Sequence, residues 1–271
     1  MSLIEMLDDV DVFSCFGLTK IRTLSTARNL VYLTRHIKYK SVQKVVKVYE
    51  NDKVSTERFK SEVEILQKLH HPNIMAFDRA AMLASQNVIL MPYCELGALY
   101  HHVGKISLFQ LDDYLLQMCG GVKYLHSQNI VHRDIKLDNI LLDAGQRLYI
   151  TDFDLSCTVP PGNPVVHQLV GTDAYMAPEM LASPKGYYDG FKLDVYALGV
   201  VLWCLLFQAD IHNPVDYLDV THTHDWPFSM LFYKWVLLNV LQPDPALRWD
   251  IEKMVKSLGQ ADWLAERALL L

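Results

Sequence analysis

A chain of 271 residues with 51% hydrophobic content is long enough to bury a sizeable core and too apolar to be intrinsically disordered. Its net charge of −6 argues against a general nucleic-acid or anionic-membrane binder. Five cysteines, Cys15, Cys94, Cys119, Cys157 and Cys204, lie far apart with no C-x-x-C pair, which fits a reducing compartment and neither a disulfide framework nor a zinc site. Residues 1–11 lack the basic start and apolar centre of a signal peptide. The longest apolar run, residues 197–207, is too short to span a bilayer. The expectation is a soluble intracellular protein, cytoplasmic or nuclear, with no membrane and no nucleic-acid partner.

Residues 1–15 read as an extension without a function of their own. Residues 21–50 are strand-like, clearest at 31–33 and 45–49. Arg35, His36, Lys38, Lys40 and Lys44 cluster at the connection and read as a solvated hairpin rather than an anion site. Period two places Val45, Lys47 and Tyr49 on one face, where a lysine among apolar neighbours needs a partner. A helix is predicted over 55–70, with Phe59, Val63, Leu66 and Leu69 as its buried stripe and Glu62 on that same stripe. Residues 88–91 form a strand, and a long helix covers 108–126 through Leu111, Leu115, Met118, Val122 and Leu125.

The chemistry is concentrated in His132-Arg133-Asp134-Ile135-Lys136-Leu137-Asp138-Asn139, followed by Asp152 in Thr151-Asp152-Phe153-Asp154. Apolar runs flank it at 130–131, 140–142 and 148–150, the last two joined by the turn residues 143–146, so the polar set sits on a loop between rigid strands. Asp and Asn oxygens suit a hard cation such as Mg²⁺, and a lysine beside them suits a phosphate. Metal-assisted phosphoryl transfer is the chemistry that follows. Farther on, 191–207 is an apolar helix carrying one acid, Asp194. His222 and His224, without a third ligand, read as loop residues. A last helix over 261–271 ends in three leucines and would cap the body of the fold or meet a partner.

The octet resembles the catalytic loop of eukaryotic protein kinases, H-R-D-x-K-x-x-N, and other landmarks of that family stand in order from residue 17 to 258. The resemblance implies an α+β, bilobal fold: a small β-rich lobe with one helix over 16–91, a hinge over 92–98 and a mainly helical lobe over 99–271. It implies Asp134 as the base for the substrate hydroxyl, Lys136 on the transferring phosphate, and Asn139 and Asp152 on Mg²⁺ or Mn²⁺. ATP would be held by Lys47 paired with Glu62, by Val31, Val45 and Leu141 around adenine, by Met91 as gatekeeper, and by backbone groups of Pro92 and Cys94. Pro92 can offer only its carbonyl. Asp194 would tie down the catalytic loop, and Arg248 in Asp244-Pro245-Ala246-Leu247-Arg248 would pair with Glu179. Lys136 together with Thr172 matches the serine/threonine form. Between Cys157 and Gly171 Thr158 is the one hydroxyl, so activity independent of loop phosphorylation is expected.

The chain departs from the family in three places. No glycine stands at Leu24, Thr26 or Asn29, where the phosphate loop falls, which should weaken the grip on nucleotide. Val45 replaces the usual alanine against adenine, an overpacking worth about 1–3 kcal/mol if nothing yields. Asp154 replaces the glycine after Asp152-Phe153 and should restrict movement there. Two readings follow: an active serine/threonine kinase with a protein substrate, drawn to basic sites by Asp138 and the acidic total charge, or a pseudokinase scaffold with little ATP affinity.

Overall fold

The computed structural model describes residues 4–7, 12–26, 28–208 and 217–259. The helix expected over 261–271 lies outside them. The first part of the chain is built on a six-stranded sheet. Its strands are β1 (Ile4–Leu7), β2 (Leu18–Ser25), β3 (Leu30–His36), β4 (Gln43–Glu50), β5 (Arg79–Leu83) and β6 (Gln86–Pro92), with helix α1 (Lys53–Leu66) between β4 and β5. The spatial order is β1-β5-β6-β4-β3-β2. All pairs are antiparallel except β1 with β5.

Both faces of this sheet are covered, which is why β4 is buried over Val45–Tyr49. Val45 and Tyr49 face the main core with Phe59 and Val63 of α1. Val46 and Val48 face a second cluster with Leu18, Ala81, Val88, Leu90 and Val12. Val12 is 3% exposed, and Phe13 meets Tyr32 edge-on at 5.4 Å. The segment before residue 16, expected to be an extension, therefore supplies part of the outer core and an added strand. Burial of a lone Val and a Phe leaves no periodic signature, so this role was invisible in the sequence.

Helix α1 starts where Asp52 accepts from the N–H groups of Val54 (2.8 Å) and Ser55 (3.1 Å). It ends four residues earlier than expected. Lys68 and Leu69 bond back only three residues, to Ile65 and Leu66, and Pro72 disfavours helix at His71. Phe59, Glu62, Val63 and Leu66 are buried as one stripe.

The second part is mainly helical. After β7 (Gly97–Ala98) comes α2 (Leu108–Ser127), opened by a capping box between Ser107 and Gln110. The strands β8 (Ile130–Val131), β9 (Ile140–Leu142) and β10 (Leu148–Ile150) follow, with β9 and β10 forming the expected hairpin beside β7. Then come β11 (Cys157–Thr158), which pairs with β8, β12 (Val165–Val166), α3 (Pro178–Ala182) and β13 (Tyr188–Asp189). The last elements are α4 (Gly190–Phe207), α5 (Tyr217–Thr223), α6 (Leu231–Val240) and α7 (Ile251–Leu258). Helix α4 is long and apolar enough to cross a membrane, but 78% of it is buried against its neighbours, including α2 and α6. His224 packs edge-on against Phe207 (4.8 Å) and Trp226 (5.6 Å).

One buried ion pair locks α3 to the end of the chain's core. The Arg248 guanidinium, with no exposed side-chain surface, donates to Glu179 at 2.7 and 2.8 Å. It also donates to the carbonyls of Gln242 and Lys192, at 2.8–3.0 Å. Replacing Glu179 with Gln strands the cation, and the cost should be about 3 kcal/mol, the lower end for a broken buried pair because those carbonyls remain. Urea denaturation reads this directly. An unchanged midpoint would show that the pair does not stabilise the fold.

Candidate active site

The loop after β8 is tied down by one carboxylate. Asp194, buried in the second turn of α4, accepts from the backbone N–H groups of His132 and Arg133, each at 2.9 Å, and lies 3.0 Å from His126 Nε2. Arg133 sits in the left-handed region at φ 66°, a strain of order 1–3 kcal/mol that these charge-assisted bonds offset. The loop then turns Asp134 inward, where its side chain is 1% exposed.

Three neighbours hold the Asp134 carboxylate. Thr172 donates its hydroxyl at 2.8 Å, Lys136 lies at 3.0 Å, and the Asn139 amide nitrogen donates at 3.1 Å as well as to the Asp134 carbonyl at 2.9 Å. Lys136 also donates to the Thr172 hydroxyl at 2.8 Å, which closes the set. Gly171 makes the approach possible. Its φ is 125°, and a Cβ there would fall 2.7 Å from the Arg133 carbonyl oxygen.

Asp152 stands beside this group, because the Thr151 N–H donates to the Asn139 carbonyl at 3.0 Å. It too has a positive φ, 67°. Its carboxylate meets Lys47 Nζ at 2.6 Å, and Lys47 in turn meets Glu62 at 2.8 Å. The expected Lys47–Glu62 pair is thus present, and a hydroxyl from Tyr49 also donates to Glu62. Burial by itself would lower Lys47; Asp152 and Glu62 outweigh it and raise it. Burial likewise opposes ionisation of Asp152, but Lys47 holds its carboxyl below the usual range. Glu62 goes the other way: burial pushes it up to about 7 against the pull of Lys47, with Asp152 adding a second negative charge nearby. The two acids share one ammonium, and Glu62 is the more deeply dehydrated.

The residues implied for adenine lie on β3 (Val31), β4 (Val45), the end of β6 (Met91 and Pro92), the stretch just after it (Cys94) and β9 (Leu141). Val45 lies opposite Met91 and Val31 opposite Lys47 across the sheet, while Leu141 lies opposite Ala98 in the hairpin sheet. Val45, Met91 and Cys94 are buried in the same apolar cluster against which Val31 and Leu141 pack. Pro92 is opposite Lys44 at the end of β6. The Cys94 carbonyl closes a turn with Gly97 N–H at 3.2 Å and keeps a second lone pair. Burial pushes the Cys94 thiol up to about 12, which makes it an apolar wall and not a nucleophile.

Two features went unread in the sequence. Arg28, on the turn between β2 and β3, places Nη1 2.9 Å from Asp154 and 4.0 Å from Asp134. Asn29 adds a bond to Asp154 at 3.3 Å. The signal was present, since an acid in an apolar stretch needs a cation, but its partner is 126 residues away. Second, the Arg133 guanidinium is engaged by the Leu155 carbonyl (2.5 Å) and the Gln168 side chain (3.0 Å). Ser156 is buried and donates to the His132 carbonyl, whereas Thr158 is exposed.

Comparison with known proteins matches residues 28–257 to the protein kinase domain family. The chain is 30% identical over 242 residues to CBL-interacting serine/threonine-protein kinase 15 of Arabidopsis thaliana, covering 84% of this chain and 56% of that protein. It is 31% identical over 227 residues to CBL-interacting protein kinase 30 of Oryza sativa subsp. japonica, covering 78% and 47%. To the RAF proto-oncogene serine/threonine-protein kinase of Xenopus laevis it is 36% identical over 169 residues, covering 60% and 26%. The chain therefore spans about half or less of the length of these relatives. A loop octet anchored by Asp194, a β4 lysine bridged to acids from α1 and from the segment after β10, and a family match over most of its length lead to one conclusion: this chain belongs to the eukaryotic-type protein kinase domain family.

Proposed function

We propose that the chain is a protein serine/threonine kinase that transfers the γ-phosphate of ATP to a protein hydroxyl. The observation that carries this reading is the Asp134 carboxylate held at 2.8–3.1 Å by Thr172, Lys136 and Asn139, next to an Asp152 kept ionised by Lys47. The substrate hydroxyl hydrogen-bonds to Asp134. Its oxygen forms the new bond to the γ-phosphorus while the bond to the departing ADP oxygen breaks, and Asp134 takes the proton. Lys136 steadies the transferring group, and Lys47 meets the α- and β-phosphates. Adenine lies among Val31, Val45 and Leu141, with Met91 behind it and the Pro92 and Cys94 backbone at its edge. Pairing of Lys136 with Thr172 supports serine or threonine as acceptor. Exposed Asp138 and the net charge of −6 favour basic residues near the phosphosite.

Asn139 and Asp152 fit a hard divalent ion, Mg²⁺ or Mn²⁺. Asn139 directs its amide nitrogen at Asp134, which leaves its Oδ1 for a cation, and Asp152 presents an ionised carboxylate. Such an ion would supply positive charge beside the phosphates during the transfer.

A second reading, a scaffold with no ATP affinity, is favoured by Val45 packed opposite Met91 and by the glycine-free turn before β3. Mg·ATP at tenfold its Kd should stabilise an ATP-binding chain by about 1.4 kcal/mol, a thermal shift of a few degrees. No shift at millimolar nucleotide, with no transfer to a basic serine peptide, selects the scaffold. In the kinase, Asp134→Asn should lower kcat by about 10²–10⁴ with Mg·ATP affinity retained. Retained turnover in that variant would remove Asp134 as the base.

Glu62 sets a pH dependence. A carboxyl raised from 4.5 to about 7 stabilises the fold fully below the lower value and loses that contribution as pH rises through the upper one. Between about pH 5 and 7.5 the wild type should therefore lose urea stability relative to Glu62→Gln. Asp152, lowered from 3.8, and Lys47, raised from 10.5, act outside that window. Parallel curves for the two proteins would contradict the shift.

Because Gln168 already meets Arg133, the segment has an internal substitute for a phosphate partner. Thr158→Ala should keep the wild-type kcat. A mass spectrum with Thr158 quantitatively phosphorylated only in the active form would count against this.

A further inference from the structure

Two of the departures from the family pattern meet in space. The turn between β2 and β3 has no glycine to bring backbone N–H groups close to phosphates, but it carries Arg28. The segment after Asp152 carries Asp154 in place of glycine, with no exposed side-chain surface. Arg28 Nη1 reaches Asp154 at 2.9 Å and stands 4.0 Å from Asp134. Asn29 donates to the other Asp154 oxygen at 3.3 Å. The guanidinium is thus held over the same acids that flank the proposed transfer site.

The charges at this place are Arg28, Lys47 and Lys136 against Glu62, Asp134, Asp152 and Asp154. A buried Asp154 alone would repel a triphosphate. With Arg28 attached, that repulsion is offset and a cation is brought to the cleft. A guanidinium carries five N–H donors, so pairing with Asp154 leaves donors for phosphate oxygens, and its fork matches their geometry. Asp154, Asp134 and Asp152 together outweigh its partial burial and raise its pKa, which keeps it charged.

Resting on the nucleotide-binding reading above, we propose that Arg28 is a phosphate-binding side chain for the nucleoside triphosphate, standing in for the absent glycine-loop backbone, and that Asp154 is its positioning residue. Phosphate oxygens would share the guanidinium with Asp154 or replace it. The two substitutions then form one device, in which a side-chain donor replaces backbone donors and a buried acid aims it.

Isothermal titration with Mg·ATP and with adenosine tests this on the wild type, Asp154→Gly, and Asp154→Gly combined with Arg28→Ala. In the Asp154→Gly background no buried carboxylate is left unpaired, so loss of Arg28 reports on the ligand alone. The double variant should bind Mg·ATP at least about tenfold more weakly than Asp154→Gly, with adenosine affinity equal in both. Equal Mg·ATP affinity in this pair, with Arg28→Lys in the wild-type background also unchanged, would mean that Arg28 only neutralises Asp154, and the proposal fails; equal affinity in the pair with weaker binding by Arg28→Lys would show that the donor acts only when Asp154 aims it. An equal fall for adenosine would mean a disturbed adenine slot, and the proposal fails there too. Should Asp154→Gly not fold, Arg28→Lys in the wild-type background decides alone. That variant keeps the charge and loses the fork, so Mg·ATP should weaken severalfold and adenosine should not; unchanged Mg·ATP affinity overturns the assignment. A wild type that binds neither ligand removes the nucleotide reading itself, and Arg28 as a phosphate ligand with it.

Discussion

A buried ammonium has to be met by carboxylates, and Lys47 is met by two. One, Glu62, comes from α1; the other, Asp152, comes from the segment after β10. Dehydrating each of these ions costs several kcal/mol, and only close approach of opposite charges offsets it. The three groups therefore fix where α1 and the post-β10 segment stand relative to the sheet. Sharing also makes the two acids unequal. Asp152, part exposed, has its carboxyl held below the ordinary carboxylate range, while Glu62 carries the burial penalty.

The catalytic loop repeats the principle with backbone donors in place of an ammonium. Asp194 gathers two N–H groups and keeps Arg133 in a left-handed conformation, and Asp152 holds a similar one. These strained positions place Asp134 and Asp152 where a regular strand could not. Gly171 lets the later segment cross at van der Waals distance, and Thr172 then reaches the Asp134 carboxylate. The Arg133 side chain and Gln168 pin the same crossing from the outside.

The turn before β3 and the segment after Asp152 are best understood together. Taken singly, a missing glycine weakens phosphate binding and an aspartate in place of glycine stiffens a hinge. Joined by the Arg28–Asp154 pair, they become an exchange of one kind of donor for another. Val45 has no such partner. It stands buried opposite Met91.

Much was legible in the residues alone, because the relevant forces are local. Alternation along β4 put Lys47 among apolar neighbours, helical spacing put Glu62 on a buried stripe, and turn residues between short apolar runs marked the β9–β10 hairpin around the His132–Asn139 octet. What tertiary structure alone decided lies at long sequence separation. Strand β1 joins β5 in parallel, Val12 closes the outer core, β11 pairs with β8, and Arg28 reaches Asp154. No period or spacing encodes these contacts, since each depends on segments that become neighbours only after the sheet and the helices have closed around a common core. The end of α1 is different, because its cause is local: helical spacing ran on to residue 70, while three-residue hydrogen bonds at Lys68 and Leu69, with Pro72 beyond them, close the helix at Leu66.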